Sequence, residues 1–442
     1  MNYCTAALFN MNYRPMADMN YSPAGEYEDL WLLKQPNELF DCVEYDDMDK
    51  IMGASKVRLG VIGIGNMGTE HCRNILAGKC PEIELAAVAD VRPERVEWAR
   101  KELPAGVRVY DSGRELIRDQ QCDAVLVAVP HYLHEQMTVQ ALSNGMHVMC
   151  EKPIAVEAAA AKRMIRAAET SGKTLALMFN QRTNSLYRAI KQILDSKEPG
   201  DIKRVNWIVT DWYRTQKYYD SGSWRATWAG EGGGVLLNQC PHQIDLLIWL
   251  CGMPKTVQAH CHEGKWHHIE VEDDVTAYLE FMNGATGVFI ASTGDLPGTN
   301  RLEIDCEKGK IVCEDGKVLY TRLDENEREL CFRSDDPWYR GHTKEEEVKT
   351  NGENPQHVGV LNAFAGHLLH GTPLIADAED GLRALQLSNA IHYSGWTGKA
   401  VSVPVPQKSF HEELEKKIAG SHSRKTGDIT YESDHSGTGS RR

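Results

Sequence analysis

The sequence has no C-x-x-C pair, although it holds 12 cysteines among 442 residues. Without paired or finger-like spacing these thiols suggest neither a structural zinc site nor a disulfide framework, so they are expected to be reduced and mostly buried. No apolar run approaches the roughly 20 residues that a membrane-spanning helix needs. The start, "MNYCTAALFNMNYRPMADMNYSP", lacks the basic segment and apolar core of a secretion signal, and its acidity is wrong for a mitochondrial presequence. A cytoplasmic protein with no membrane partner is expected. Basic charge is also short: 49 Lys and Arg against 63 Asp and Glu give a net charge of −14, which argues against nucleic acid as a partner. Residues 1–55 hold 10 acidic and 3 basic side chains, a net of −7 and half the total. The body is only mildly acidic. A His-rich stretch, "HCHEGKWHH" at 260–268, lacks the regular ligand spacing of zinc sites and reads as a loop between strands, so no metal is expected.

What is present is ordinary globular composition, 42% hydrophobic and 25% charged, in a chain long enough for two domains. Residues 1–55 repeat "MNY" three times and show no sustained period. They read as an appended arm, with Met48 or Met52 as alternative starts. From 56 to 180, short apolar runs ("VRLGVIGIG", "ELAAVAD", "CDAVLVAVP", "HVMCEKP", "KTLALMFN") alternate with helical patterns, which predicts an α/β fold with a doubly wound parallel Rossmann sheet. From 181 to 405 the runs lengthen and alternate, with Asn-Gly, Lys-Gly and Asp-Gly turns between them. That pattern predicts a second α/β domain around a large, mostly antiparallel open sheet. Its late helical segments could pack on that sheet or return to the first domain. Residues 406–442 read as a helix followed by a polar, disordered tail.

Three stretches carry chemistry. "GIGNMG" follows a strand and opens a helix: Gly63 permits the tight turn, Gly65 lets backbone N–H groups approach a pyrophosphate, and Gly68 permits close helix-strand packing. Asn66 and Met67 complete that cradle. Asp90, at the end of the next strand, can accept hydrogen bonds from the adenosine ribose and repel a 2′-phosphate, which favours NAD over NADP; Arg92, two residues on, could instead pair with that phosphate. In "CEKPIAV", Pro153 ends a strand at the carboxyl edge of the sheet and places Lys152 there, where the nicotinamide's positive charge would lower the lysine's pKa. In "GGGVLLNQCPHQIDLL", Pro241 requires a helix start near Asn238, so Asn238 and His242 are expected on one face, with His242 kept neutral by the first turn. The glycines before them would let the backbone pass close to a ligand. Trp212, Tyr213, Trp224 and Trp228 lie just upstream and could stack on a sugar ring or pack internally.

The ordered set "GIGNMG", "AD" at 89–90, "VPHYLH" at 129–134, "EKP" at 151–153, "WR" at 224–225, "GGGVLLNQCPHQIDLLIWLCG" at 232–252, "VEDDVTAYLEFMNGATGVF" and "DGLRALQLSNAIHYSGWTGKAVSVP" resembles the glucose-fructose oxidoreductase / inositol dehydrogenase (Gfo/Idh/MocA) family over residues 56 to 405. The resemblance implies an NAD-dependent oxidation of a secondary hydroxyl, C3 by preference, of a sugar or glycoside. Hydride would pass to nicotinamide C4, with Lys152 and His242 as the catalytic pair. It further implies cofactor contacts from Gly63, Gly65, Asn66, Met67, Gly68, Asp90, Val129, Pro130, His134, Glu151 and Lys152, and substrate contacts from Asn238, Arg182, Trp224, Tyr213 and His131, with Asn180 nearby. The C-terminal sheet would form a homodimer or homotetramer. Two departures stand out: Asn238 where many members carry aspartate, and His131 where many carry asparagine. A redox glycosidase, which oxidises, eliminates and re-reduces, is an alternative outcome, and a non-catalytic sugar sensor is a third.

Overall fold

The computed structural model describes residues 56–422, so the expected arm at 1–55 and the tail beyond 422 lie outside the described residues. Six parallel strands, β1 (Val57–Ile62), β2 (Ile83–Ala89), β3 (Arg108–Tyr110), β4 (Ala124–Val127), β5 (His147–Cys150) and β6 (Leu175–Leu177), form one sheet in the order β3-β2-β1-β4-β5-β6. The central strand β4 is buried along its length and β1 at every residue but Arg58, as strands covered by helices on both faces must be. The order reverses between β1 and β4, and a crevice at the carboxyl ends of the strands is expected there.

Nine strands form the second sheet: β7 (Ile202–Val209), β8 (Thr256–Glu263), β9 (Glu272–Glu280), β10 (Thr286–Ser292), β11 (Asn300–Cys306), β12 (Gly309–Glu314), β13 (Lys317–Leu323), β14 (Thr343–Glu347) and β15 (Val401–Ser402). Their order is β14-β13-β12-β11-β7-β10-β9-β8-β15, antiparallel except for β7 with β10. Asn283-Gly284, Lys308-Gly309 and Asp315-Gly316 make the tight turns between β9 and β10, β11 and β12, and β12 and β13. The inner face buries Val205, Trp207, Val275, Ala277, Leu279, Leu302 and Ile304 under the helices Pro241–Cys251 and Ala378–Thr397. The His-rich stretch is only partly loop, since His260 and His262 lie on β8.

The late helices divide. Helix Gln356–His370 returns to the first sheet, where Val360, Leu361, Phe364 and Ala365 share a core with Leu59, Val61, Val88 and Leu126. Helix Ala378–Thr397 reaches both sheets, touching β6 and β8. Helix Gln407–Ala419 docks through Phe410 and Leu414. The ten cysteines among the described residues are all free, and only Cys331 is exposed. No helix among the described residues is long and apolar enough to cross a membrane.

Candidate active site

The carboxyl edge of the first sheet collects the predicted residues. Gly63 follows β1 with φ +90°, and a Cβ at Gly68 would meet the Gly63 carbonyl oxygen at 1.9 Å, so the helix Asn66–Leu76 can approach the strand only with glycine there. That helix begins with no side-chain cap and no acidic residue in its first turn. A Cβ at Gly65 would find only Arg92 Nη2, at 3.6 Å. Uncapped N–H groups of Asn66 and Met67 beside open space are a donor set that fits a pyrophosphate. Asp90, buried after β2, accepts the Ile64 N–H at 3.0 Å and the Arg92 N–H at 3.0 Å. Arg92 Nε is 3.3 Å from the same carboxylate, so its guanidinium is paired with Asp90.

Lys152 stands after β5 with its Nζ donating to the backbone carbonyl of Asn238 at 2.7 Å. Burial lowers its pKa, against the pull of Glu151 and Glu231. His242 is buried, its Nδ1 has no hydrogen-bond partner, and burial together with the Lys152 charge holds its pKa well below the ordinary value. His242 is thus a neutral imidazole and Lys152 an amine whose charge burial disfavours, and each, once unprotonated, can accept a proton.

Several expectations change. The helix carrying His242 starts at Pro241, so Asn238 sits in the preceding turn, not one helical turn away on the same face. Its side chain donates to Glu231. Gly234 does not face a ligand: its N–H donates to the Glu272 carboxylate at 2.9 Å, and a Cβ there would meet the Glu272 carbonyl oxygen at 2.0 Å. Arg182 is buried in a bidentate pair with Asp245, at 2.6 and 2.8 Å, and a further pair with Asp380 at 2.9 Å. Burial opposes its charge, but these carboxylates outweigh it and raise its pKa. Its guanidinium is spent inside the protein. Asn180 is buried against His357. Trp228 packs edge-on against His392 and Trp396 in the interior, and Trp212 packs against the core.

The remaining residues divide between the crevice and its supports. His131 donates from Nδ1 to the Glu231 carbonyl at 2.9 Å, which leaves Nε2 as an acceptor; burial keeps the ring neutral. Trp224 meets it edge-on at 6.0 Å, and Tyr213 is 38% exposed. His134 sits between the carbonyls of Val129 and Pro153, each 2.8 Å from a ring nitrogen, and its one N–H as a neutral ring donates to one of them, which packs the chain at Val129 and Pro130 against the turn that carries Lys152. Glu151 points inward to His71 Nε2 at 2.7 Å. Burial would raise its pKa, but His71 holds it down to about 2.

Three residues in this region were not anticipated. Glu231 is 1% exposed beside the glycine run, Arg225 lies 4.6 Å from the Tyr218 ring and 4.7 Å from the Trp224 ring, and His71 is wholly buried on the first helix. The one available signal was a charged residue inside the "ATWAGEGGGVLL" run, where every neighbour is small or apolar. Among the described residues no group of three or more His, Cys, Asp or Glu could hold a metal ion. His267 of the His-rich stretch pairs with Asp273 at 2.9 Å.

Residues 57–179 match a family described as oxidoreductases with an NAD-binding Rossmann fold, and residues 187–312 match the GFO/IDH/MocA C-terminal domain. Myo-inositol 2-dehydrogenase of Thermotoga maritima is 26% identical over 351 residues, covering 76% of this chain and 95% of the relative. D-glucoside 3-dehydrogenase of Escherichia coli is 26% identical over 377 residues, 80% of this chain and 100% of that protein. Among solved structures, the WlbA dehydrogenase of Bordetella pertussis in complex with NADH and UDP-GlcNAcA superposes with a TM-score of 0.67 at 26% identity, covering 79% of this chain and 100% of that one.

Proposed function

The chain belongs to the GFO/IDH/MocA family of NAD-binding oxidoreductases, and on that premise we propose that it oxidises a secondary hydroxyl, at C3, of a sugar or glycoside to the keto sugar. When bound, NAD supplies the acceptor for the hydride that leaves the carbinol carbon. The protein's part is proton transfer and positioning. Lys152, as the neutral amine, takes the hydroxyl proton at Nζ, and neutral His242 shares it. His131 Nε2 accepts a hydrogen bond from a neighbouring hydroxyl, while Trp224 and Tyr213 offer ring faces to the sugar. The reading rests on one observation above the others: a partly buried lysine at the carboxyl edge of a dinucleotide-binding sheet, its Nζ held 2.7 Å from the Asn238 carbonyl, where burial disfavours its charge. The relative named as a 3-dehydrogenase supports C3.

The experiment is turnover of methyl glucosides with NAD, with carbon NMR of the product. A carbonyl at C3 is expected, and one at another carbon removes the C3 assignment. A redox-glycosidase outcome, oxidation followed by glycoside elimination and re-reduction with no net use of NAD, is supported by His131 as a second neutral base. Aglycone release without accumulating NADH would select it. A cytoplasmic location is consistent with the free cysteines. Half-exposed apolar residues on the outer face of the second sheet, Ile208, Tyr278, Val288 and Ile290, suit a homodimer or homotetramer contact.

A further inference from the structure

Glu231 has no part in the proton transfer just described, yet it is built into the site on every side. Its Oε2 accepts the Ala226 N–H at 2.6 Å, its Oε1 accepts the Asn238 side-chain amide, and Arg225 Nη1 lies 3.5 Å from Oε1. Each of these neighbours donates and none accepts, which favours the anion, against burial that pushes the carboxyl's pKa above its ordinary value. Asn238 is engaged at both ends. Its amide is tied to Glu231 while its backbone carbonyl accepts Lys152 Nζ at 2.7 Å. The Glu231 carbonyl also receives the His131 Nδ1–H at 2.9 Å.

We propose that Glu231 is a positioning residue, which through Asn238 fixes the direction of the Lys152 amine and whose charge sets how readily that amine releases its proton. The inference rests on Lys152 being the proton acceptor. The charge carried on neither Asn238 nor His242 is placed on Glu231 instead. The charges that face Lys152 are Glu151 and Glu231, which favour the ammonium, and Arg225 and Arg214, which oppose it. The rings of His131, His134 and His242 also feel the lysine charge, and burial holds all three below their ordinary pKa. Removing the Glu231 charge leaves two arginines against one carboxylate, so the amine becomes neutral at lower pH.

The test is competitive acetylation of the cofactor-free protein with acetic anhydride across pH, reading Lys152 in its own peptide by mass spectrometry. Glu231→Gln should move the Lys152 midpoint down by about one pH unit, the scale of one screened charge within several ångströms. The double variant Glu231→Gln/Asn238→Asp puts the carboxylate on the other side of the same hydrogen bond, and its midpoint should return close to the wild-type value. A Glu231→Gln midpoint unchanged within error, accompanied only by a lower melting temperature, would reduce Glu231 to a structural role and overturn the proposal. If Glu231→Gln does not fold, the double variant carries the test: recovery near the wild-type midpoint supports the proposal, and a midpoint displaced downward by about one unit overturns it. Acetylation needs no turnover. Undiminished turnover in Lys152→Ala would instead overturn the proton-acceptor role itself, a separate result from either titration outcome.

Discussion

Asp90 holds Arg92 by backbone and side chain at once, so the guanidinium that could have met a 2′-phosphate is committed to a carboxylate that repels one. Asp90→Ser should remove the repulsion and release Arg92 together, raising the affinity for NADP relative to NAD by about tenfold or more. Calorimetry reads this directly, and tighter binding of NADP than NAD by the unaltered protein would reverse the assignment. Glu151 makes a pH prediction. Its pKa in the folded chain, about 2, lies below the ordinary carboxyl value of 4.5, so its stabilisation is complete above about 4.5 and is lost as pH falls towards 2. Glu151→Gln should therefore lower the melting temperature at neutral pH and flatten its decline between those values. An identical decline in the variant would mean that His71 and Glu151 do not couple. Lys152, His242 and Asp90 were legible because each stands at a fixed step from a glycine, proline or strand end. Glu231 was not, because a buried acid is recognised by its donors, and those come from Ala226, Asn238 and Arg225 only after the turns have formed.

The glycine turn separates folding from binding within one element. Gly65 has φ −70° and open space beside it, so Gly65→Ala should leave the melting temperature nearly unchanged while abolishing NAD binding, since the methyl would occupy the pyrophosphate's approach. Gly68→Ala should do the reverse first, forcing strand and helix apart at the Gly63 carbonyl and lowering stability by an amount on the scale of core overpacking, about 1–3 kcal/mol. Equal loss of stability in the two variants, by thermal melts, would contradict that division. The hairpins of the second sheet were readable because Asn-Gly and Asp-Gly pairs state their turns locally. The return of helix Gln356–His370 is not legible in the sequence for the opposite reason. An apolar stripe shows that a face is buried but not against what, and the partners of Phe364, among them Leu59 and Val88, lie some 300 residues away in the chain.

At the scale of the whole molecule, both sheets and the helices joining them fall within residues 56–422, and the last described residues are tied in. Ser421 accepts the Ala229 N–H at 3.2 Å and donates to Glu270, close to the loop that carries Arg225 and Glu231. A chain shortened to residues 55–422 should still bind NAD, and further shortening to 417 should loosen the substrate loop, raising KM more than it lowers NAD affinity. Loss of folding in the longer form would give residues 1–54 or 423–442 a structural part. Lys152 is proposed to accept the proton while a sugar hydroxyl is oxidised by NAD. The most direct test is to mix the purified protein with NAD and a panel of glucosides and myo-inositol, following NADH absorbance and aglycone release together, beside Lys152→Ala. NADH or aglycone is expected from at least one sugar, with a fall of about 100-fold or more in the variant and NAD binding retained. Wild-type turnover in Lys152→Ala, or neither product from any sugar with the intact protein, would contradict it.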